Sequence, residues 1–239
     1  MCEKNQNSTN AVDKIDYQIE DLLINGIKIY QAPNLYRFTS DSVLLAKFAQ
    51  KRYKNVLDLC AGSGIVGFHY YAEFIPDAVT FVEIQKSLSD MCLKSVGLNG
   101  LNDKMTVIND NLKNFNGGGK FDAVFCNPPY KKQSSGIVSK NTHIAICRAE
   151  IECTLDDIVN CAKKSLKHGG SLFMCHKPER LTDVICSFRA NNIEPCRIKF
   201  ISGKGSDKIY LFLIEGVLGQ KKQLEVEGVL ENCATDMKG

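Results

Sequence analysis

The stretch VLDLCAGSGIVG, Val56 to Gly67, limits what this chain can fold into more than any other. An apolar run of strand length ends in a glycine-rich turn and passes at once into a helical pattern, with Gly62, Gly64 and Gly67 at G-x-G-x-x-G spacing. Such a junction needs a tight reversal and lets a ligand approach the backbone with no Cβ in the way. From Asn55 onward the alternation continues, with strands expected at 55–59, 78–84, 105–109, 121–126 and 171–176, and helices near 64–74, 86–98, 154–167 and 179–190. Strands that alternate with amphipathic helices imply right-handed crossovers and a parallel sheet covered on both faces. Two later runs, 194–201 and 208–215, flank Ser202-Gly203-Lys204-Gly205-Ser206 and read as an antiparallel pair. The expectation is an α/β fold built on a doubly wound seven-strand sheet, mostly parallel, closed by a terminal antiparallel hairpin.

Ahead of this core, Asn25-Gly26 between apolar triplets predicts a hairpin. Thr39 or Ser40 can then cap a helix that carries Val43, Leu44, Leu45 and Phe48 on one face. The expected organisation is a frayed N-terminus over 1–14 and one domain over 15–216, with the hairpin and helix at 15–50 and the core at 51–216. A tail follows at 217–239. The eleven cysteines contain no C-x-x-C pair, and Cys60, Cys126 and Cys175 sit within apolar runs. They read as buried free thiols of a reducing compartment rather than disulfides or a metal site. With no leader-like or membrane-length apolar segment, a cytoplasmic protein with no metal and no membrane partner is expected. Net charge is only +3, but residues 120–208 hold fifteen Lys and Arg against nine Asp and Glu, a weak pointer to a polyanionic partner.

Charge placement refines the glycine loop. Asp58 lies inside the strand, four positions before Gly62, where a carboxylate would repel a pyrophosphate. Glu83 ends the next strand and Asp110 follows the third. Ligands of such sheets bind outside the carboxyl ends of the strands. A carboxylate suited to an ammonium, another suited to ribose hydroxyls and a third suited to an adenine edge favour S-adenosylmethionine over a nicotinamide cofactor.

The fourth core strand runs into Asn127-Pro128-Pro129-Tyr130. Proline fixes its own φ and holds the residue before it extended, so the Asn127 side-chain oxygen and the Pro128 carbonyl are preset as acceptors. Two acceptors aimed at a planar NH₂ favour its pyramidal, nucleophilic form, and Tyr130 offers a ring for stacking. This arrangement needs no general base, and His176 reads as a satisfied strand-end residue.

The order Asp58, Gly62, Gly64, Glu83, Asp110 and NPPY resembles the Rossmann-like, class I S-adenosylmethionine-dependent methyltransferases that act on amino groups. Adding FTSDSVLLAKF (Phe38 to Phe48), ICRAEIECTLDDIV (Ile146 to Val159), HKPERLTDVI (His176 to Ile185) and EPCRIKFI (Glu194 to Ile201), the chain resembles the bacterial tRNA-valine adenine-37 N6-methyltransferases over residues 15 to 216. The resemblance implies methyl transfer to N6 of an adenine in RNA, tRNA by expectation. It makes Asn127, Pro128, Pro129 and Tyr130 the catalytic candidates. Cofactor candidates are Phe38, Thr39, Asp41, Asp58, Cys60, Ala61, Gly62, Ser63, Gly64, Glu83, Ile84, Asp110, Asn111 and Asn127. Lys131, Lys132, Lys140, Arg148, Lys177 and Arg180 are candidates for tracking phosphates, with Arg148 equally suited to an ion pair with Glu150 or Glu152. The loop after Tyr130 carries Lys-Lys-Gln-Ser-Ser and no second aromatic, so stacking rests on Tyr130 or on Phe38. Alternatives are a glutamine N5-methyltransferase of release factors, which usually carries a longer docking domain than the forty or so residues ahead of this core, and amino-methyltransferases of other nucleic acids. A non-catalytic binding module or an oxidoreductase fits Asp58 and the acceptor pair less well.

Overall fold

The computed structural model describes residues 17–32, 40–128 and 153–232. A two-stranded antiparallel hairpin, β1 (Gln18–Asp21) and β2 (Lys28–Gln31), opens the fold. Its turn is the expected Asn25-Gly26, both with positive φ (49° and 70°), closed by Ile27 N donating to Ile24 O at 3.1 Å. Helix α1 (Ser40–Phe48) follows, then β3 (Asn55–Leu59), α2 (Ile65–Phe74), β4 (Ala78–Glu83), α3 (Lys86–Leu98), β5 (Met105–Asn109) and β6 (Phe121–Cys126). From residue 153 onward come α4 (Leu155–Ser165), β7 (Leu166–His176), a 3-10 turn (Pro178–Arg180), α5 (Leu181–Ala190), β8 (Ile193–Gly203), β9 (Ile209–Leu218), β10 (Glu225–Val226) and β11 (Leu230–Asn232).

The main sheet has nine strands in the order β10-β8-β9-β7-β6-β3-β4-β5, with β11 also on β8. Its pairings are parallel except where β9 runs antiparallel between β7 and β8. Seven strands were expected. The two extra ones, β10 and β11, come from the segment read as a tail and lie parallel along the outer edge of β8, so the β8–β9 hairpin does not end the fold. They are drawn in by charge as much as by backbone pairing. Arg197 on β8 lies over the Phe48 ring, 4.0 Å from its centroid, and pairs with Glu215 at 2.9 Å and Glu227 at 3.1 Å; Lys199 reaches Glu227 at 2.8 Å. Largely buried charges persist only when paired in this way.

The central strands are apolar on both faces, as parallel strands under two helical layers must be. Val56, Val79, Phe81, Ala123, Phe125, Phe173 and Cys175 pack with α1, α2 and α3 on one side. Leu57, Leu59, Val82, Val124, Cys126, Leu172 and Met174 pack with α4 and α5 on the other. The Phe125 and Phe173 rings stack at 4.9 Å between centroids and lock β6 against β7 just below their carboxyl ends. Among the described residues, eight cysteines are free and five of them, Cys92, Cys126, Cys153, Cys161 and Cys175, are buried. Among the same residues, no helix is long and apolar enough to cross a membrane, and no cluster of three or more His, Cys, Asp or Glu side chains is arranged to hold a metal ion.

Candidate active site at the carboxyl edge of the sheet

The loop from β3 to α2 is built on left-handed backbone at Cys60 (φ 55°), Gly62 (58°) and Gly64 (87°). The three glycines serve different ends. A Cβ on Gly62 would meet nothing within 4 Å, so the loop is open there. A Cβ on Gly64 would lie 2.7 Å from Cys92 Sγ, and one on Gly67 would lie 2.3 Å from the Phe81 ring. Phe81 is fully buried and stacked on Phe68, so it has no room to retreat. Gly67→Ala is expected to cost about 1–3 kcal/mol through overpacking, read as a lower denaturant midpoint at unchanged slope.

Asp58 is 1% exposed. Its Oδ2 accepts from Gly67 N at 3.0 Å, satisfying a first-turn amide of α2 that has no partner within the helix. Its Oδ1 is buried and has no hydrogen-bond partner among the described residues. Burial pushes its carboxyl up to about 8, against the opposing Gly67 amide and with a further push from Glu83. Glu83, also buried and also raised by burial, accepts from Gly62 N and from Gln85 N, both at 2.8 Å. It thereby ties the glycine loop to the turn after β4. Ile84, the next residue, is exposed at 36%. The end of β5 is tied to the end of β4 by Asn109, whose Nδ2 donates to Glu83 O at 2.8 Å and Ile84 O at 3.0 Å.

Asp110 Oδ1 accepts from Asn111 N at 2.7 Å and from Asn114 Nδ2 at 3.1 Å, and Asn111 Oδ1 accepts from Lys113 N at 3.0 Å. Both side chains shape their own turn, beside the strand end where an adenine contact was expected. Ser63 Oγ accepts from Gln31 Nε2 at 3.0 Å, which brings the N-terminal hairpin onto the glycine loop. Gln31 is 2% exposed and its Oε1 has no hydrogen-bond partner among the described residues. Sequence reasoning missed it, although its place two residues from the fully buried Ile29 put a polar residue on the buried face of β2.

Asn127 follows β6 directly. Its Nδ2 donates to Ser42 Oγ at 2.8 Å and its Oδ1 accepts from Cys175 Sγ at 3.1 Å. Pro128 behind it is buried. Asp41 is buried beside Ser42 at the start of α1, while Val43 and Leu44, expected on the apolar face, are only half-buried. His176 is buried, its Nδ1 accepts from Lys177 N at 2.8 Å, and burial with Arg180 and Lys177 nearby lowers it to about 4. A neutral imidazole already engaged with the backbone fits the expected strand-end role. Lys177 Nζ lies 5.3 Å from the centroid of the Tyr210 ring. Arg180 is buried, with its Nε 2.8 Å from a half-exposed Asp183. Phe38, Thr39, Pro129, Tyr130, Lys131, Lys132, Lys140 and Arg148 lie outside the described residues.

The loop, the strand-end carboxylates and Asn127 thus share one edge of the sheet. Residues 39–185, more than half of the chain, match the methyltransferase small domain. The chain belongs to that family. It is an S-adenosylmethionine-dependent methyltransferase, and the orphaned Asp58 oxygen beside a glycine loop open at Gly62 fits that cofactor's ammonium and close approach. Among similar proteins is the tRNA1(Val) (adenine(37)-N6)-methyltransferase of Shewanella baltica, 24% identical over 180 residues that cover 73% of this chain and 75% of the relative. The ribosomal protein uL3 glutamine methyltransferase of Bradyrhizobium diazoefficiens is 30% identical over 103 residues, covering 43% of this chain and 31% of the relative. The fold is similar to that of a predicted O-methyltransferase from Agrobacterium tumefaciens, with a TM-score of 0.62, 20% identity and coverage of 81% of this chain and 89% of that one.

Proposed function

We propose that this methyltransferase modifies the exocyclic N6 of adenine in RNA, with adenine 37 of a tRNA anticodon loop as the leading target. The observation that carries this reading is the breadth of the likeness. Similarity to the tRNA adenine enzyme spans three-quarters of that protein, whereas similarity to the glutamine enzyme spans 31% of it. A match confined to one part of a relative speaks for shared core chemistry, and a match across most of its length also takes in the surroundings that select a substrate. The glutamine amide remains a second reading, because that shorter match has the higher identity and the nucleophile is again a planar NH₂.

In this reading Asp58, Gly62, Gly64, Glu83, Ile84 and Asp110 form the cofactor cradle. Bound there, S-adenosylmethionine supplies an electrophilic methyl on a sulfonium. Asn127 Oδ1 and the Pro128 carbonyl accept the two amine hydrogens and orient the nitrogen lone pair, so that alignment rather than a strong base drives the reaction. The amine's proton leaves to water. Tyr130 stacks the base, which an anticodon loop presents already unpaired and so at least cost to extract. Lys131, Lys132, Lys140, Arg148 and Lys177 follow the phosphates, a contact that weakens as salt rises.

The test is transfer of labelled methyl from the cofactor into tRNA from cells lacking the gene, followed by nucleoside mass spectrometry. The expected result is N6-methyladenosine in one tRNA species, absent from those cells and restored by the enzyme. Label entering a glutamine side chain and no RNA would replace this reading with the second.

A further inference from the structure

The Asn127 amide is engaged at both ends by residues that no role yet covers. Ser42, in the first turn of α1, accepts from its Nδ2 at 2.8 Å, and Cys175, next to last in β7, donates to its Oδ1 at 3.1 Å. Ser42 is 2% exposed and Cys175 fully buried. Each sits on an anchored element. The Phe125–Phe173 stack fixes β6 beside β7 two residues before these contacts. The start of α1 is tied to the edge of the sheet by Asn232 Nδ2, which donates to Ser40 Oγ at 2.9 Å and to Tyr210 OH at 2.7 Å.

The last side-chain torsion of asparagine is broad and roughly two-fold, so an amide without in-plane partners samples many orientations. We infer that Ser42 and Cys175 are positioning residues that set the plane of the Asn127 amide and give its oxygen one direction for the incoming amine. An amide oxygen has two lone pairs. The Cys175 thiol, a weak donor, engages one, and once the plane of the amide is set the direction of the other is set with it. Ser42 holds the opposite end through an N–H that plays no part in accepting the amine hydrogens. The inference rests on the proposed amino-group chemistry but not on the choice of RNA, since adenine and glutamine present the same planar NH₂.

Two measurements test it. In steady-state transfer with whichever acceptor the wild-type enzyme uses, Ser42→Ala is expected to lower kcat about tenfold while KM for cofactor and acceptor stays within about twofold. Ser42→Thr keeps the oxygen and should restore kcat to within about threefold. Cys175→Ala and Cys175→Ser should form a parallel pair, lost and restored. Independently of turnover, hydrogen exchange of the Asn127 side-chain amide is followed by NMR in ¹⁵N-asparagine-labelled protein, with the signal identified by its loss in Asn127→Asp. It is expected to be slow in the wild type and at least about tenfold faster in Ser42→Ala. Unchanged exchange would overturn the inference. So would a fall in melting temperature and cofactor affinity together that Ser42→Thr fails to reverse, which is the mark of simple packing. A wild-type enzyme that methylates glutamine and not RNA, with Ser42-dependent exchange, would remove the RNA reading and leave the positioning role in place.

Discussion

Asn127→Ala is expected to lower methyl transfer about a hundred- to a thousandfold, the range seen when one preorganised group is removed from a reacting centre, with cofactor affinity within about threefold of the wild type. The split follows from where the residue sits. Asn127 emerges from β6 beyond Cys126, while Asp58, Gly62 and Glu83, the groups assigned to the cofactor, belong to β3, its loop and β4. Two of its side-chain contacts go to Ser42 and Cys175, neither of them in the cradle. Truncation leaves a buried hydroxyl and a buried thiol short of one partner, which costs on the order of 1–3 kcal/mol, and the Phe125–Phe173 stack keeps β6 and β7 paired below the gap. The variant should therefore fold and bind. Single-turnover transfer alongside calorimetric cofactor titration separates the two effects. A rate loss fully accounted for by weaker cofactor binding would remove Asn127 from the chemistry.

What was legible in the sequence, and what was not, follows from where each element gets its stability. β3, β5, β6 and α3 begin and end at the residues expected, because β3 and β6, at the centre of the sheet, are largely apolar runs, β5, at its edge, still sets Met105, Val107 and Ile108 apart from the polar residues around it, and α3 is bounded by the end of β4. β7 begins at Leu166, five residues before the expected start, within Leu166-Lys167-His168-Gly169-Gly170. Its register with β6 skips from Leu166 to Ser171, and no apolar pattern marks a strand that is locally irregular. α4 ends at Ser165 for the same reason, since the chain turns straight from helix into that strand. β10 and β11 hold two and three residues, too few for any period, and depend on partners far away in sequence such as Arg197 with Glu227 and Ser40 with Asn232. In the site, Asp58 and Glu83 stood out because a charge within or at the end of an apolar strand needs a reason. Ser42 did not, because a serine near a helix start reads as part of its cap, and only the fold brings Asn127 to it. Arg180 pairs with Asp183, three residues on, a partner that the sequence reading did not single out.

Asp58 should give the cofactor a pH optimum near 8, with two limbs of different origin. In the ligand-free protein burial holds its carboxyl at about 8, so at pH 7 most molecules carry it protonated. The form that meets an ammonium is the carboxylate. Below pH 8, binding must therefore expel a proton from Asp58, and affinity should fall roughly tenfold for each pH unit, with close to one proton released per cofactor bound at pH 7. Above about pH 8 the cofactor's own α-amino group, of ordinary value about 7.7–8.0, loses its charge and affinity declines again. Calorimetry in buffers of differing ionisation heat measures the proton release directly. Asp58→Asn should weaken binding about a hundredfold at pH 8 and abolish the lower limb while leaving the upper one, which belongs to the cofactor. The same group acts on stability with the opposite sign. Its folded value lies above the unfolded one of 3.8, so its stabilising contribution is fully present only below that value and is lost as pH rises towards 8. Ligand-free Asp58→Asn, which keeps an oxygen for the Gly67 amide, should consequently melt at pH 8 no lower than the wild type even as it loses the cofactor. A variant that both unfolded more easily and bound normally would mean that Asp58 serves the α2 terminus and not the ligand.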